Sequence, residues 1–344
     1  MTTILISIVF FSIIIMVHEL GHFLVARFAG IYTEEFSIGM GPRILKVQGK
    51  ETVYSLRALP IGGYVKFLGE DEESSDPRAF GNAKLWKRML VLIAGSGMNL
   101  LLAVLLLSIL LMCFGTYVPA PVVDKTISGS PAEMAGIQPG DRIIRVAGTD
   151  IVNNQDGKAI AQIQSLLKEN GGKTINIVVR RDSKEFSYSI DPYYNEEYKT
   201  YMIGIEFGFE LQRLSFFKAI KSSFIMTGEL IVFMVKTLGN LIFKGRGFQD
   251  ITGPVGIVRE IGRAASSGIQ DLIWLGIVIT INLGVINLIP FPALDGGRLS
   301  LLIVEAFRGR PLDQKKEGYI HVIGFILLML LMAWVTFQDI GKLF

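Results

Sequence analysis

Residues Ile4–Ala26 read ILISIVFFSIIIMVHELGHFLVA, an apolar run that carries two histidines and a glutamate toward its far end. A bilayer-spanning helix needs about 20 predominantly apolar residues, and this run supplies them. Within it, His18-Glu19-Leu20-Gly21-His22 sets the imidazoles four positions apart. On a helix such residues share a face, so both rings can reach one metal ion, with Glu19 one step round beside them. Ionisable groups at bilayer depth are costly unless partnered. That argues against a packing role for the pair.

The rest of the 344-residue chain agrees with a membrane setting. Half of it comes from the AVILMFWYC set and only 19% is charged, against about 25% charge in ordinary soluble domains. The net charge of +3 is small and scattered, so no nucleic-acid partner is expected. The lone Cys113 excludes a disulfide framework and a thiolate metal cage. Three further runs read as spans: Met89–Phe114, Leu272–Pro292 and Ile320–Phe337. No Lys or Arg precedes Arg27, so the first run reads as a retained helix, not a signal peptide. Ala29–Arg88 and the link Arg298–Lys316 are rich in Lys and Arg. The positive-inside rule places both in the cytoplasm, and both termini and the long middle segment outside. Phe216–Phe243 has a helical apolar period interrupted by Lys218, Lys221, Glu229 and Lys236, which reads as an amphipathic helix lying in the interface. A crossing there would put the basic link outside.

Between Pro119 and Glu210 the composition turns polar. Strands are expected at Asp124–Ile127, Asp141–Ala147, Thr174–Arg180 and Glu185–Ile190, with a helix at Ala159–Glu169. The run SPAEMAGIQPGDRIIRVAG, Ser130–Gly148, resembles the PDZ family in its bacterial, protease-associated form. PDZ domains hold extended peptides beside a sheet edge, and Ile143 is placed in that groove. A rigid spacer is the other reading. Upstream, Phe36–Leu68 alternates as a β-hairpin does, with Gly62-Gly63 as its turn. Non-helical backbone near a membrane is tolerated where protein or water shields it, and such a hairpin offers an edge for an extended substrate.

Catalytic zinc takes three protein ligands and keeps one position open. Asp295, in NLIPFPALDGG (Asn287–Gly297), suits the third place. It follows a span that runs from outside to inside and so reaches the depth of His18 and His22. Pro290 and Pro292 stop the helix, and Gly296 and Gly297 let the backbone bend. Without the histidine pair, Asp295 reads as a turn residue or helix cap. His321 opens the fourth span without a companion and reads as an ordinary packed histidine.

Taken together, HELGH in the first span, the insert and NLIPFPALDGG resemble the site-2 protease family of intramembrane zinc metalloproteases, in its bacterial regulator-of-sigma-factor branch with a single PDZ domain. FSIGMGP (Phe36–Pro42), LPIGGYVKFLG (Leu59–Gly69), DPRAF (Asp76–Phe80) and GPVGI (Gly253–Ile257) are similar to that branch too. AGSGMN (Ala94–Asn99) departs from it, since the family often has Pro where Ser96 stands; no ligand is expected to be touched. The fold class is then a polytopic α-helical membrane protein of about four transmembrane helices, with a membrane-associated β-hairpin region (31–70) and an inserted α+β PDZ domain. Its parts are 1–114 and 271–344 as membrane core, 119–210 as insert, and 211–270 as interfacial helix and loop. The residues assign His18, His22 and Asp295 to Zn2+ and Glu19 to general base catalysis. The resemblance implies that Asn287 bonds the unwound substrate backbone, and Gly62 and Gly63 belong to the substrate-holding hairpin. It implies a bacterial plasma membrane location, an active site toward the cytoplasm, and single-span substrates such as anti-sigma factors or remnant signal peptides, cut first by a site-1 protease. A membrane metal transporter and a catalytically inactive PDZ scaffold are the rivals. A transporter needs neither Glu19 nor the insert, and a scaffold does not need the intact His-Glu-His-Asp set.

Overall fold

The computed structural model describes residues 2–70, 72, 74–152, 158–245, 252–310 and 313–342. The expectations for the chain ends, Met1 and Phe344, and for 246–251 of the connecting loop fall outside the described residues. By its contacts the chain divides into two units: Met1–Met112 with Ser215–Phe344, and Cys113–Leu214.

In the first unit the opening apolar run forms α1 (Thr2–Ala29), which ends with Arg27 in its last turn, where a cation suits the helix dipole. The hairpin region follows as β1 (Thr33–Gln48) and β2 (Val53–Phe67), antiparallel. Its turn lies at Gly49–Thr52, where the Gly49 amide donates to the Thr52 carbonyl at 2.9 Å. The expected turn at Gly62-Gly63 is therefore wrong: both glycines sit inside β2. Phe36, Ser37 and Ile38 each face both ends of β2, at Tyr54 and Val65, Ser55 and Tyr64, and Leu56 and Gly63. The start of β1 is thus flanked on both sides, a closeness that alternation along the sequence does not report.

After a 3-10 turn (Phe80–Asn82), α2 (Leu85–Cys113) covers the second apolar run. Downstream of the insert come α5 (Phe216–Lys244), α6 (Pro254–Ser267), α7 (Ile269–Asn287), α8 (Asp295–Arg308) and α9 (Gln314–Gly341), the two intermediate labels belonging to the insert. Among the described residues five helices are long and apolar enough to cross a membrane, α1, α2, α5, α7 and α9. Of these α5 is the least apolar and the least covered by the rest of the chain. In this unit two helices were not foreseen. The basic link holds α8, and α7 stops at Asn287, five residues short of the expected end, because Leu288–Leu294 turns the chain. The other, α6, explains GPVGI. Pro254 opens the helix where no N–H is needed. The buried Asp339 of α9 accepts from the Gly253 and Gly256 amides at 3.1 and 2.8 Å. A Cβ on Gly253 would stand 2.7 Å from that carboxylate.

In the second unit, β3 (Thr116–Thr126), α3 (Pro131–Ala135), β4 (Arg142–Val146), β5 (Thr149–Asp150), α4 (Lys158–Glu169), β6 (Ile175–Arg181), β7 (Lys184–Ile190), β8 (Tyr193–Asn195), β9 (Thr200–Met202) and β10 (Ile205–Gln212) follow in order. The main sheet runs β10-β3-β4-β6-β7, with β5 beside β4. Ala159, Ile163 and Leu167 of α4, spaced by four, bury one face. Ile163 and Leu167 share a core with Val123, Ile143, Val146, Ile177 and Val179. Ile143 is 1% exposed and belongs to this core, so its assignment to a peptide groove is wrong. Ser130 caps α3 by accepting from the Glu133 amide at 3.3 Å, while Glu133 reaches back to the Gly129 amide. The β3–β10 pairing, with Thr116 opposite Gln212, brings the two ends of the insert together.

Candidate active site

His18 and His22, one turn apart on α1, are both buried. Their Nε2 atoms lie 3.2 Å from each other. Asp295 Oδ2, from the first turn of α8, lies 3.1 Å from His18 Nε2 and 3.2 Å from His22 Nε2. Three lone-pair donors thus form a nearly equilateral triangle. Tetrahedral zinc bonds of about 2.0–2.1 Å set ligands about 3.3 Å apart, so the triangle has the size of one face of such a site. Among the described residues this is the group of three or more His, Cys, Asp or Glu side chains that could hold a metal ion.

The local fold of NLIPFPALDGG brings Asp295 there. A Cβ on Gly296 would strike the Leu288 and Ile289 carbonyls, and one on Gly297 the Phe291 carbonyl, so only glycine lets α8 start against the turn. Ala293 takes a φ of 77° inside this turn, a left-handed conformation that a side chain rarely adopts. Its amide donates to His321 Nδ1 at 3.1 Å. His321, expected to lack a companion, in fact ties α9 to the turn. A cavity of about 360 Å³ beside it is lined by Leu294, Asp295, His321 and Phe325 among others. Asp295 is one-fifth exposed, toward this space.

Glu19 stands next to the triangle on α1, half-buried. The Val65 amide hydrogen-bonds its carboxylate. Gly63 lies so near that a Cβ there would be 3.4 Å from Glu19 Cγ. The second half of β2 therefore reaches the site at Gly63, whereas Gly62 lies against Met40. At the end of α7, Asn287 Nδ2 is 3.3 Å from His18 Nε2. All seven residues singled out from the sequence lie in the first unit, and six of them converge; Gly62 is one residue removed.

Sequence reasoning missed the contribution of α2. His22 Nδ1 lies 2.8 Å from the Val91 carbonyl, and His18 Nδ1 lies 3.2 Å from Asn99 Nδ2. Between these, Gly95 is so close that a Cβ would strike His22 Nε2. Ser96 makes none of these contacts, but its neighbours Gly95 and Asn99 do reach the histidines. Gly21 makes the matching concession on α1, since a Cβ there would run into the Ala94 carbonyl. Small residues every few positions were the available signal for close helix approach.

Two buried histidines on an apolar helix, with a carboxylate closing the triangle and a glutamate beside it, are what a metal-dependent hydrolase inside a bilayer requires. The chain matches the model of peptidase family M50 over residues 6–331. It is 38% identical over 337 residues to a protein of Clostridium acetobutylicum named as a zinc metalloprotease, covering 98% of this chain and 97% of that relative. It is 30% identical over 419 residues to the zinc metalloprotease RasP of Geobacillus kaustophilus, covering 98% and 97%. The regulator of sigma-W protease RasP of Bacillus subtilis is 28% identical over 423 residues, covering 99% of both chains. The chain belongs to peptidase family M50, the site-2 protease family: it is a multi-pass membrane zinc metalloendopeptidase.

Proposed function

We propose that this chain cuts the transmembrane segments of single-span membrane proteins, with His18, His22 and Asp295 holding zinc and Glu19 acting as general base. The observation that carries this is the three-donor triangle with Glu19 beside it on the same helix. Bound zinc supplies a Lewis acid and lowers the pKa of water toward about 7. Glu19 accepts the proton of the attacking water and returns it to the leaving amine. The Val65 amide keeps the Glu19 carboxylate aimed.

A helical substrate hides its carbonyls in its own hydrogen bonds and must be opened first. Asn287, at the end of a helix and within reach of His18, is suited to bond an unwound backbone. Gly63–Val65 pair with β1 on one side and adjoin Glu19. Their other edge is suited to a strand of substrate.

By the positive-inside rule the hairpin and α8 face the cytoplasm and the insert faces outside. In this arrangement α5 lies in the interface. The insert is a PDZ domain that screens substrates by size, so cleavage follows a first cut by a site-1 protease. Anti-sigma factors and remnant signal peptides are the expected substrates; the name of the Bacillus subtilis relative, a regulator of sigma-W protease, supports the first of these. The test is co-expression of Glu19→Gln with candidate substrates. The variant should keep zinc, accumulate trimmed substrate and co-purify with it. If Glu19→Gln still cleaves, the general-base assignment is wrong.

A further inference from the structure

The two histidines are backed by one face of α2. Val91, Gly95 and Asn99 follow each other at intervals of four, as His18 and His22 do on α1. Behind His22 the arrangement is unambiguous. The Val91 carbonyl can only accept, so at 2.8 Å it fixes the proton on His22 Nδ1 and leaves the Nε2 lone pair facing the triangle. Behind His18 a nitrogen faces a nitrogen: Asn99 Nδ2 is 3.2 Å from His18 Nδ1, while Asn99 Oδ1, beside it, is buried and has no partner. Asn99 is fully buried, and its backbone is tied to α7 by the Thr280 hydroxyl, which donates to the Asn99 carbonyl at 3.3 Å.

The two ends of a side-chain amide have nearly the same shape and are assigned from their partners. Turning the Asn99 amide over puts Oδ1 against His18 Nδ1. That contact becomes donor to acceptor, the proton is held on Nδ1, and the Nε2 lone pair is left free, as in His22. The unturned amide would donate to Nδ1 and force the proton onto Nε2, where a metal must bind.

We propose that Asn99 is a positioning residue whose Oδ1 holds His18 in the metal-binding tautomer, so that α2 supplies both acceptors behind the histidine pair. This rests on the reading of His18 as a zinc ligand. Acceptors of this kind behind metal-bound histidines are worth about 10–100-fold in metal affinity.

The test uses the full-length protein in detergent, with zinc affinity measured by competition against a chromogenic chelator. Asn99→Leu, similar in shape but without an acceptor, should lose about 10–100-fold in affinity. Asn99→Asp, which can only accept when ionised, should stay near the unsubstituted protein. Thr280→Val, which removes only the bond to the Asn99 backbone, should leave zinc binding unchanged. Unchanged affinity in Asn99→Leu, or equal loss in the folded Leu and Asp variants, overturns the proposal. Where Asn99→Leu does not fold, the nitrogen spectrum of zinc-loaded, histidine-labelled native protein decides. A proton on His18 Nδ1 supports the proposal and a bare Nδ1 overturns it. His18→Ala separates the two levels. If it keeps full zinc affinity, the ligand assignment falls and takes this inference with it; if it loses zinc while Asn99→Leu does not, only the inference falls.

Discussion

The two units mix apolar and polar packing differently. In the insert, Ile143, Ile163, Ile177 and Val179 close an apolar core, and the buried Asp141 is gripped by Arg181 at 2.6 and 2.7 Å. In the membrane unit large apolar side chains point outward, Phe28 at 97% exposed and Phe307 at 89%. Its interior buries Leu107, Leu111, Ile277 and Ile281, but beside them it also holds His18, His22, Ser96, Asn99, Ser108, Ser223 and Thr280. Ser108 and Ser223 join α2 to α5 at 3.1 Å. Lipid is as apolar as leucine, so burying leucine between helices contributes little there. Close approach through small residues and polar bonds does the work that the hydrophobic effect does in the insert.

The sharpest way to break this contrast is at the polar interior. Glu19→Gln should lower proteolysis by about 10²–10⁴-fold, the usual worth of a positioned general base, with zinc content unchanged. His18→Ala, His22→Ala and Asp295→Ala should each lose the metal, read by elemental analysis of the purified protein.

Gly95→Ala adds one methyl group, yet it should abolish zinc binding because that carbon would stand against His22 Nε2 and 2.8 Å from His18 Cε1. Folding of the insert should be untouched, as judged by protease resistance. A Gly95→Ala protein that binds zinc normally would show that α1 and α2 are more loosely packed than drawn.

The insert should be separable. Because Thr116 pairs with Gln212, joining Met112 to Ser215 through a short linker closes a small gap. The shortened protein should keep its zinc. If the insert is a size filter, untrimmed substrate becomes a substrate; if trimmed substrate is no longer cut, the insert is a recruiter.

Smaller effects follow within each unit. Ile163→Ala should destabilise the insert by about 2–5 kcal/mol. Leu330→Ala, on an exposed face of α9, should change stability by less than about 0.5 kcal/mol. Equal costs would end the comparison.

The smallest concerns Glu35 in the hairpin. Burial pushes its carboxyl up, but bonds from Ser55 at 2.5 Å and from Arg43 and Arg57 outweigh that and hold it down to about 2. A depressed carboxyl stabilises the fold above its ordinary value of 4.5 and loses that contribution as pH falls toward 2. Hydrogen exchange in β1 should therefore rise between about pH 4.5 and 2 in the native protein, and more weakly in Glu35→Gln.

Much of this was legible in the chain itself. Four of the five long apolar helices, the insert's strands and α4 followed from apolar length and period, which depend on neighbours a few residues away. HELGH put two imidazoles on one face because a helix brings residues four apart together, and the ligand count picked out Asp295, which the fold does bring beside them. What the sequence could not display were relations between distant segments. The true turn of the hairpin, the two-sided pairing of Phe36–Ile38, and β10 closing on β3 depend on which strand lies beside which. His321 gained its partner only because a strained turn passes it, and Gly253 and Gly256 their purpose only because Asp339 arrives from α9. The acceptors behind the histidines come from a helix some seventy to eighty residues away. Local periodicity is a property of one helix or strand, whereas a donor's partner is set by how two of them pack.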